Sequence, residues 1–306
     1  MRWGRWLRAG ATVVMLAFLV PRIHPSSIVP DWNGAAAGWL LSALVVTAIA
    51  VAIAALRWEA VLTGLGFRVP FPRLLHHYLA GLFVGNLLPS TIGGDVLRVR
   101  RLATDIADTP ASFSSVVLER VTGMLVLPAI SLTALVTNSG FRDLGGASLL
   151  AFALDIGALV VFAAGLYAVG HPSIGGRVVG ESRVRRVAGA VHLGTDRFRQ
   201  HPRAAAVALA TALAYQLTLV FAALIAARAI NIHQVGLTAA LAFVPAVAIA
   251  QTLPLSLGGL GIREGAFVVF LHPLHVPTGN AVALGLVVYG LNLAVSLAGA
   301  PSFAVG

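Results

Sequence analysis

The chain has 306 residues, of which 58% are hydrophobic and only 10% charged, and its mean hydropathy is +0.90. Soluble domains carry about 25% charged residues, so a water-exposed globule is excluded and an all-α, multi-pass integral membrane protein is expected. The net charge of +10 comes from 21 arginines with no lysine, and the absence of cysteine excludes disulfides, thiolate chemistry and Cys-based metal sites.

Crossing a ~30 Å hydrocarbon layer takes about 20 apolar residues. Six such spans are predicted: 6–22, 35–56, 111–137, 147–169, 204–227 and 279–300. Arg2, Arg5 and Arg8 precede the first span as in a signal peptide, but no small-residue cleavage site is clear and more spans follow, so it reads as an uncleaved helix. Arg57-Trp58 closes the second span as an interface anchor. The apolar segments 74–88 and 236–257 are short, and both run into Pro and Gly. They read as re-entrant segments. A short apolar piece, 265–271, follows the second, and 171–203 is the longest polar stretch, with seven arginines.

With the N-terminus inside, six crossings place sixteen arginines on the cytoplasmic side and four outside. This bias predicts a plasma (inner) membrane protein with both termini cytoplasmic. On such a chain the arginines meet anionic headgroups rather than nucleic acid.

One pattern occurs twice. Leu88-Pro89-x-x-x-Gly93-Gly94-x-x-x-Arg98 returns 165 positions later as Leu253-Pro254-x-x-x-Gly258-Gly259-x-x-x-Arg263. Each copy lies within a span, re-entrant segment, span order, over about 35–137 and 204–300. The helix 147–169 and the cytoplasmic loop 171–203 link the copies and invert the second. The expected architecture is thus one transmembrane domain over 1–306, with about six spanning helices and two re-entrant hairpins in an inverted repeat, as in transporters. The alternative is that the Gly/Pro breaks serve only close helix packing.

Broken backbone at membrane depth belongs where it lines a wet cavity. Gly93-Gly94 allows a sharp turn, Asp95 can cap a helix starting there, and Arg98 lies one turn on. A helix N-terminus favours an anion, and the guanidinium fork suits phosphate. Arg263 and Glu264 take similar places after Gly258-Gly259. The functional reading is a polar pocket for a lipid phosphate; the plain reading of Arg98, Arg100 and Arg101 is a positive-inside anchor. Glu119-Arg120 places adjacent opposite charges inside a span, where they face the bundle interior. Asp95 with Arg120 and Glu119 with Arg98 is one pairing that satisfies both; a purely structural ion network is the other reading. Asp155 is a further carboxylate in a span, either a cavity group or a helix hydrogen-bonding group.

His76-His77 and His272-Pro-Leu-His275 have no carboxylate at metal spacing, so neither metal nor cofactor is expected. There is no phosphate loop for ATP and no G-x-S-x-G elbow, and no catalytic residue is assigned.

Three ordered motifs carry a family resemblance. Asn86-Leu-Leu-Pro89-Ser90-Thr-Ile-Gly93-Gly94-Asp95-x-x-Arg98, Leu118-Glu119-Arg120-Val-Thr-Gly123 and Pro254-x-Ser256-x-Gly258-Gly259-Leu-Gly261-x-Arg263-Glu264-Gly265 resemble the lysylphosphatidylglycerol synthase transmembrane region. This is the flippase-like domain of the multiple peptide resistance factor, and the likeness covers about 35–300, with Arg57-Trp58 also fitting. It implies lipid translocation between leaflets. The expectation is a stand-alone member without the soluble aminoacyltransferase domain.

The expected substrate-binding set is Asn86, Pro89, Ser90, Gly93, Gly94, Asp95, Arg98, Glu119, Arg120, Pro254, Ser256, Gly258, Gly259, Arg263 and Glu264. The expected partner is a membrane phospholipid, anionic or aminoacylated, or a polyprenyl-phosphate lipid. A separate lipid-modifying enzyme and a homo-oligomer stay open as further partners. The competing expectation is a polyprenyl-phosphate glycosyltransferase, or the membrane subunit of a lipid-modifying enzyme.

Overall fold

A computed structural model describes residues 34–87, 93–138, 140, 144–170, 192, 196–198, 200–253 and 259–304. Among them every regular element is helical: α1 (Gly34–Gly64), α2 (Phe71–Leu87), α3 (Gly93–Ile106), α4 (Thr109–Thr137), α5 (Gly146–Gly170), α6 (Pro202–Ala229), α7 (Leu237–Thr252), α8 (Ile262–Leu271), a 3-10 turn (His272–Leu274), α9 (Thr278–Leu297) and α10 (Gly299–Ala304). Five of these, α1, α4, α5, α6 and α9, are long and apolar enough to cross a membrane. They coincide with five of the six predicted spans; the first, 6–22, lies outside the described residues. Large apolar side chains remain on their outer faces, such as Leu41, Leu149, Val160 and Val161. Lipid, not water, satisfies such a surface.

Sequence explains the helix ends. Asp108 caps α4, its Oδ1 accepting the Ala111 N–H at 2.8 Å, with Pro110 in the first turn. Gly261 opens α8 with φ +84°, and Glu264 reaches back so that its Oε2 accepts the Gly261 N–H at 2.7 Å. The α1 helix corrects one expectation. It does not stop at residue 56 but runs to Gly64, 31 residues in all, so Arg57 and Trp58 are interior to it. Its buried positions Ala36, Ala43, Thr47, Ala50, Ala54 and Trp58 recur at three-, four- and seven-residue steps. Small residues in such a stripe let membrane helices approach closely, which matters where lipid removes the hydrophobic drive.

The described residues gather into two compact units. The first holds residues up to Ile49, Leu127–Gly157 and Leu217–Val295. Its centre is the α7–α8 hairpin, where Phe243 and Phe270 stack at 5.5 Å. Leu135, Ile232, Phe267 and Leu284 fill the core around them. The second unit holds Ala50–Val126, Ala158–Gln216 and the residues from Ser296. Its centre is the α2–α3 hairpin, with α10 packed on α2. Trp58, Leu62, Leu74, Leu102 and Val116 form its core. Each unit therefore contains one of the two interrupted apolar segments predicted from sequence. In α2–α3 the limbs meet backbone to backbone: a Cβ on Gly94 would overlap the Gly81 carbonyl oxygen.

Candidate functional site

The second unit contains a chain of charges. Glu119 of α4 is buried and bridges two buried arginines. It pairs through Oε1 with Nη2 of Arg57 on α1, and its Oε2 accepts from Nη1 of Arg98 on α3 at 3.1 Å. Arg98 also lies 3.5 Å from Asp95. Asp95 in turn accepts from Nε of Arg120 at 2.5 Å. Both pairings suggested by the sequence, Asp95 with Arg120 and Glu119 with Arg98, are present. The chain is graded in exposure: side chains are 2% accessible at Glu119, 6% at Arg98, 19% at Asp95 and 49% at Arg120. The Arg120 end is thus the open one.

Aromatic rings hold the buried arginines. The Arg98 guanidinium sits 4.1 Å from the Trp58 ring and 4.3 Å from the Tyr78 ring, while Arg57 lies 4.9 Å from Tyr215. Ring faces attract such cations without consuming N–H donors. Nε and Nη1 of Arg57, and Nε and Nη2 of Arg98, are buried and make no hydrogen bond among the described residues. Trp58 is fixed in turn by donating Nε1–H to Ser115 Oγ at 3.0 Å. Trp58 is fully buried, not the interface anchor its position predicted. Glycine again makes room: a Cβ on Gly123 would crowd Arg57 Nη1.

In the first unit Arg263 and Glu264 are buried together, with Arg263 Nη2 donating to Glu264 Oε1 at 2.6 Å. Arg263 lies 4.8 Å from the Tyr289 ring. Its setting therefore parallels that of Arg98, a buried arginine between a glutamate and an aromatic face. Glu264, however, is fully committed, to Arg263 and to the start of its own helix. Asp155 of α5 is also buried here, with neither carboxyl oxygen hydrogen-bonded among the described residues. Ser131 lies beside it, but the Ser131 hydroxyl donates to the Ala242 carbonyl at 2.7 Å.

Of the predicted set, Asp95, Arg98, Glu119 and Arg120 come together, and Gly93 and Gly94 open the helix that carries Asp95 and Arg98. Asn86 sits near the end of α2, its buried Nδ2 without a partner among the described residues. Gly259 has φ +78° and packs on Gln251. Pro89, Ser90, Pro254, Ser256 and Gly258 lie outside the described residues. Arg57, Tyr78 and Tyr215 were missed as site residues. Arg57 could have been found: Ala60, Val61 and Leu65 continue the apolar helical pattern beyond it, so it is interior to a helix rather than at its end. Arg101, read from sequence as a positive-inside anchor, donates to the carbonyls of Ser302 at 2.8 Å and Phe303 at 3.2 Å.

Long apolar helices, with arginines and carboxylates buried in pairs among them, define a multi-pass helical membrane protein. The chain belongs to the family of the lysylphosphatidylglycerol synthase TM region, whose model matches residues 5–299. No curated protein matches it.

Proposed function

We propose that this protein moves a phosphate-bearing lipid between membrane leaflets, with the Arg57–Glu119–Arg98–Asp95–Arg120 chain as its headgroup site. The observation that carries the reading is a charge count. Among the described residues three guanidiniums face two carboxylates. One positive charge is left over in a largely buried place, where an unbalanced charge is costly. A phosphodiester, with one negative charge, balances it. A phosphomonoester, at about −1.5 to −2 near neutral pH, overshoots, so the count favours a singly charged anionic phospholipid over a polyprenyl phosphate.

The route follows from the exposure gradient. A phosphate first displaces Asp95 from the half-exposed Arg120. Asp95 stays within reach of Arg98, and the spare donors of Arg98 and Arg57 then face the ligand. Charge-assisted, forked hydrogen bonds suit this exchange. Without such a site, a charged headgroup meets a barrier of several kcal/mol or more in hydrocarbon. In the same reading the α2–α3 and α7–α8 hairpins are re-entrant and enter as inverted copies, and the arginine-rich loops face the cytoplasm of a plasma membrane.

The test is scrambling of fluorescent lipids in proteoliposomes over phosphatidylglycerol, lysylphosphatidylglycerol and polyprenyl-phosphate analogues. Arg120→Gln is expected to slow transfer about tenfold, the loss of one charge-assisted contact. Equal rates in vesicles with and without protein, across all headgroups, overturn the reading.

A further inference from the structure

The α2–α3 hairpin has a second polar end. Where α2 begins and α3 ends, at the other end of the two helices from the Gly93 break, lies an open cleft of about 730 Å³. Small-ligand sites have about 300–1,000 Å³. Its polar walls come from Arg73, His76 and His77 of α2 and Arg101, Thr104 and Asp105 of α3. Among the described residues Asp105 is the one carboxylate in this lining, and it is spent within the wall: it pairs with His77 Nε2 at 2.7 Å and lies 3.8 Å from Arg73. Arg101 is turned toward α10, whose last carbonyls it holds. His77 and Arg101 thus form the frame.

Two donors have no such structural work. The Arg73 side chain is 59% exposed and, among the described residues, has only the long contact to Asp105. His76 is exposed and makes no hydrogen bond among the described residues. Counting Arg73 and Arg101 against Asp105, the cleft has a surplus positive charge before either histidine is protonated. Its lining is rich in guanidinium and imidazole N–H groups, the donor set that recognises phosphate oxygens. Arg98, Arg101 and Asp105 fall at i, i+3 and i+7, along one face of α3. At 1.5 Å per residue the cleft begins only about 4.5 Å of helix rise from Arg98.

We propose that this cleft is a phosphate-binding site, with Arg73 and His76 as the residues that hold the ligand and His77 and Arg101 as its frame. The phosphate is either that of a lipid headgroup or that of a free inorganic or organic phosphate. Binding here requires no translocation, so the proposal stands or falls separately from the transport reading.

The experiment measures binding, not transport. The full chain in phosphatidylcholine nanodiscs is titrated with inorganic pyrophosphate by calorimetry. In parallel, nanodiscs of equal parts phosphatidylcholine and phosphatidylglycerol are analysed by native mass spectrometry for retained lipid. Arg73→Gln and His76→Gln are each expected to weaken the interaction about tenfold, and Arg73→Lys to retain most of it. Loss in the pyrophosphate arm identifies a free phosphate as the ligand; loss only in the lipid arm identifies a headgroup. Both outcomes support the site. The proposal is overturned if wild-type protein neither takes up pyrophosphate nor prefers phosphatidylglycerol. It is equally overturned if both substitutions leave binding unchanged.

Discussion

Replacing Glu119 with glutamine keeps the shape of the side chain and removes the one charge that bridges Arg57 and Arg98. Two guanidiniums then remain buried, each with unpaired donors. Breaking a buried ion pair from one side costs about 3–5 kcal/mol. Here one carboxylate serves two cations, which argues for the upper end. The rings of Trp58, Tyr78 and Tyr215 still face the arginines and offset about 1–2 kcal/mol of that. The expected net loss is about 3 kcal/mol. Unfolding by SDS in mixed micelles, followed by far-UV circular dichroism, reads it directly. The double variant Arg57→Gln/Glu119→Gln should lose at least about 1 kcal/mol less than the sum of the single changes, because the second change removes an orphaned cation. A Glu119→Gln variant within about 0.5 kcal/mol of wild type, or strict additivity in the double, refutes the bridging role.

Gly94→Ala should weaken the second unit by about 1–3 kcal/mol, since its Cβ would overlap the Gly81 carbonyl. Gly85→Ala, whose nearest neighbour is 3.9 Å away, should be tolerated, and the same SDS titration compares them. Gly261→Ala should cost about 1–2 kcal/mol by forcing an alanine to positive φ, while Gly265→Ala, with open space around it, should be neutral or better. Burial pulls the His77 pKa below its ordinary 6.5, against the opposing hydrogen bond and charge of Asp105. As pH falls through that ordinary value the unfolded chain takes up the proton first, so stability should decline toward acid. Thermal stability measured from neutral to mildly acidic pH should show this slope, and His77→Gln should reduce it; parallel profiles for the two proteins would count against the assignment.

The long spans were legible because a run of about 20 apolar residues matches the thickness of the hydrocarbon layer and little else in a folded chain needs it. The five described ones begin within three residues of their predicted starts. The breaks between α2 and α3 and between α7 and α8 were legible because Pro and Gly-Gly interrupt apolar runs twice at the same spacing. Helix ends next to charge were not. Arg57 looks like a stop signal, yet the helix continues because Glu119, 62 positions away, neutralises it. The Asp95–Arg120 and Arg98–Glu119 pairs could be named from sequence because adjacent charges in a span need different partners. The aromatic enclosure by Tyr78 and Tyr215 could not, since neither residue lies near Arg57 or Arg98 in the chain. The cleft by Arg73 was hidden for the same reason: His77 and Asp105 are 28 positions apart, and only the folding back of α3 on α2 joins them.

The touching of Gly94 on Gly81 has a mechanical consequence. At that point main chain meets main chain, with no flexible side-chain cushion over which the two rods could slide or splay. The α2–α3 hairpin should therefore behave as a single stiff wedge. A motion of the second unit would then tilt or shift that wedge whole, carrying Asp95 and Arg98 together, rather than prise its limbs apart.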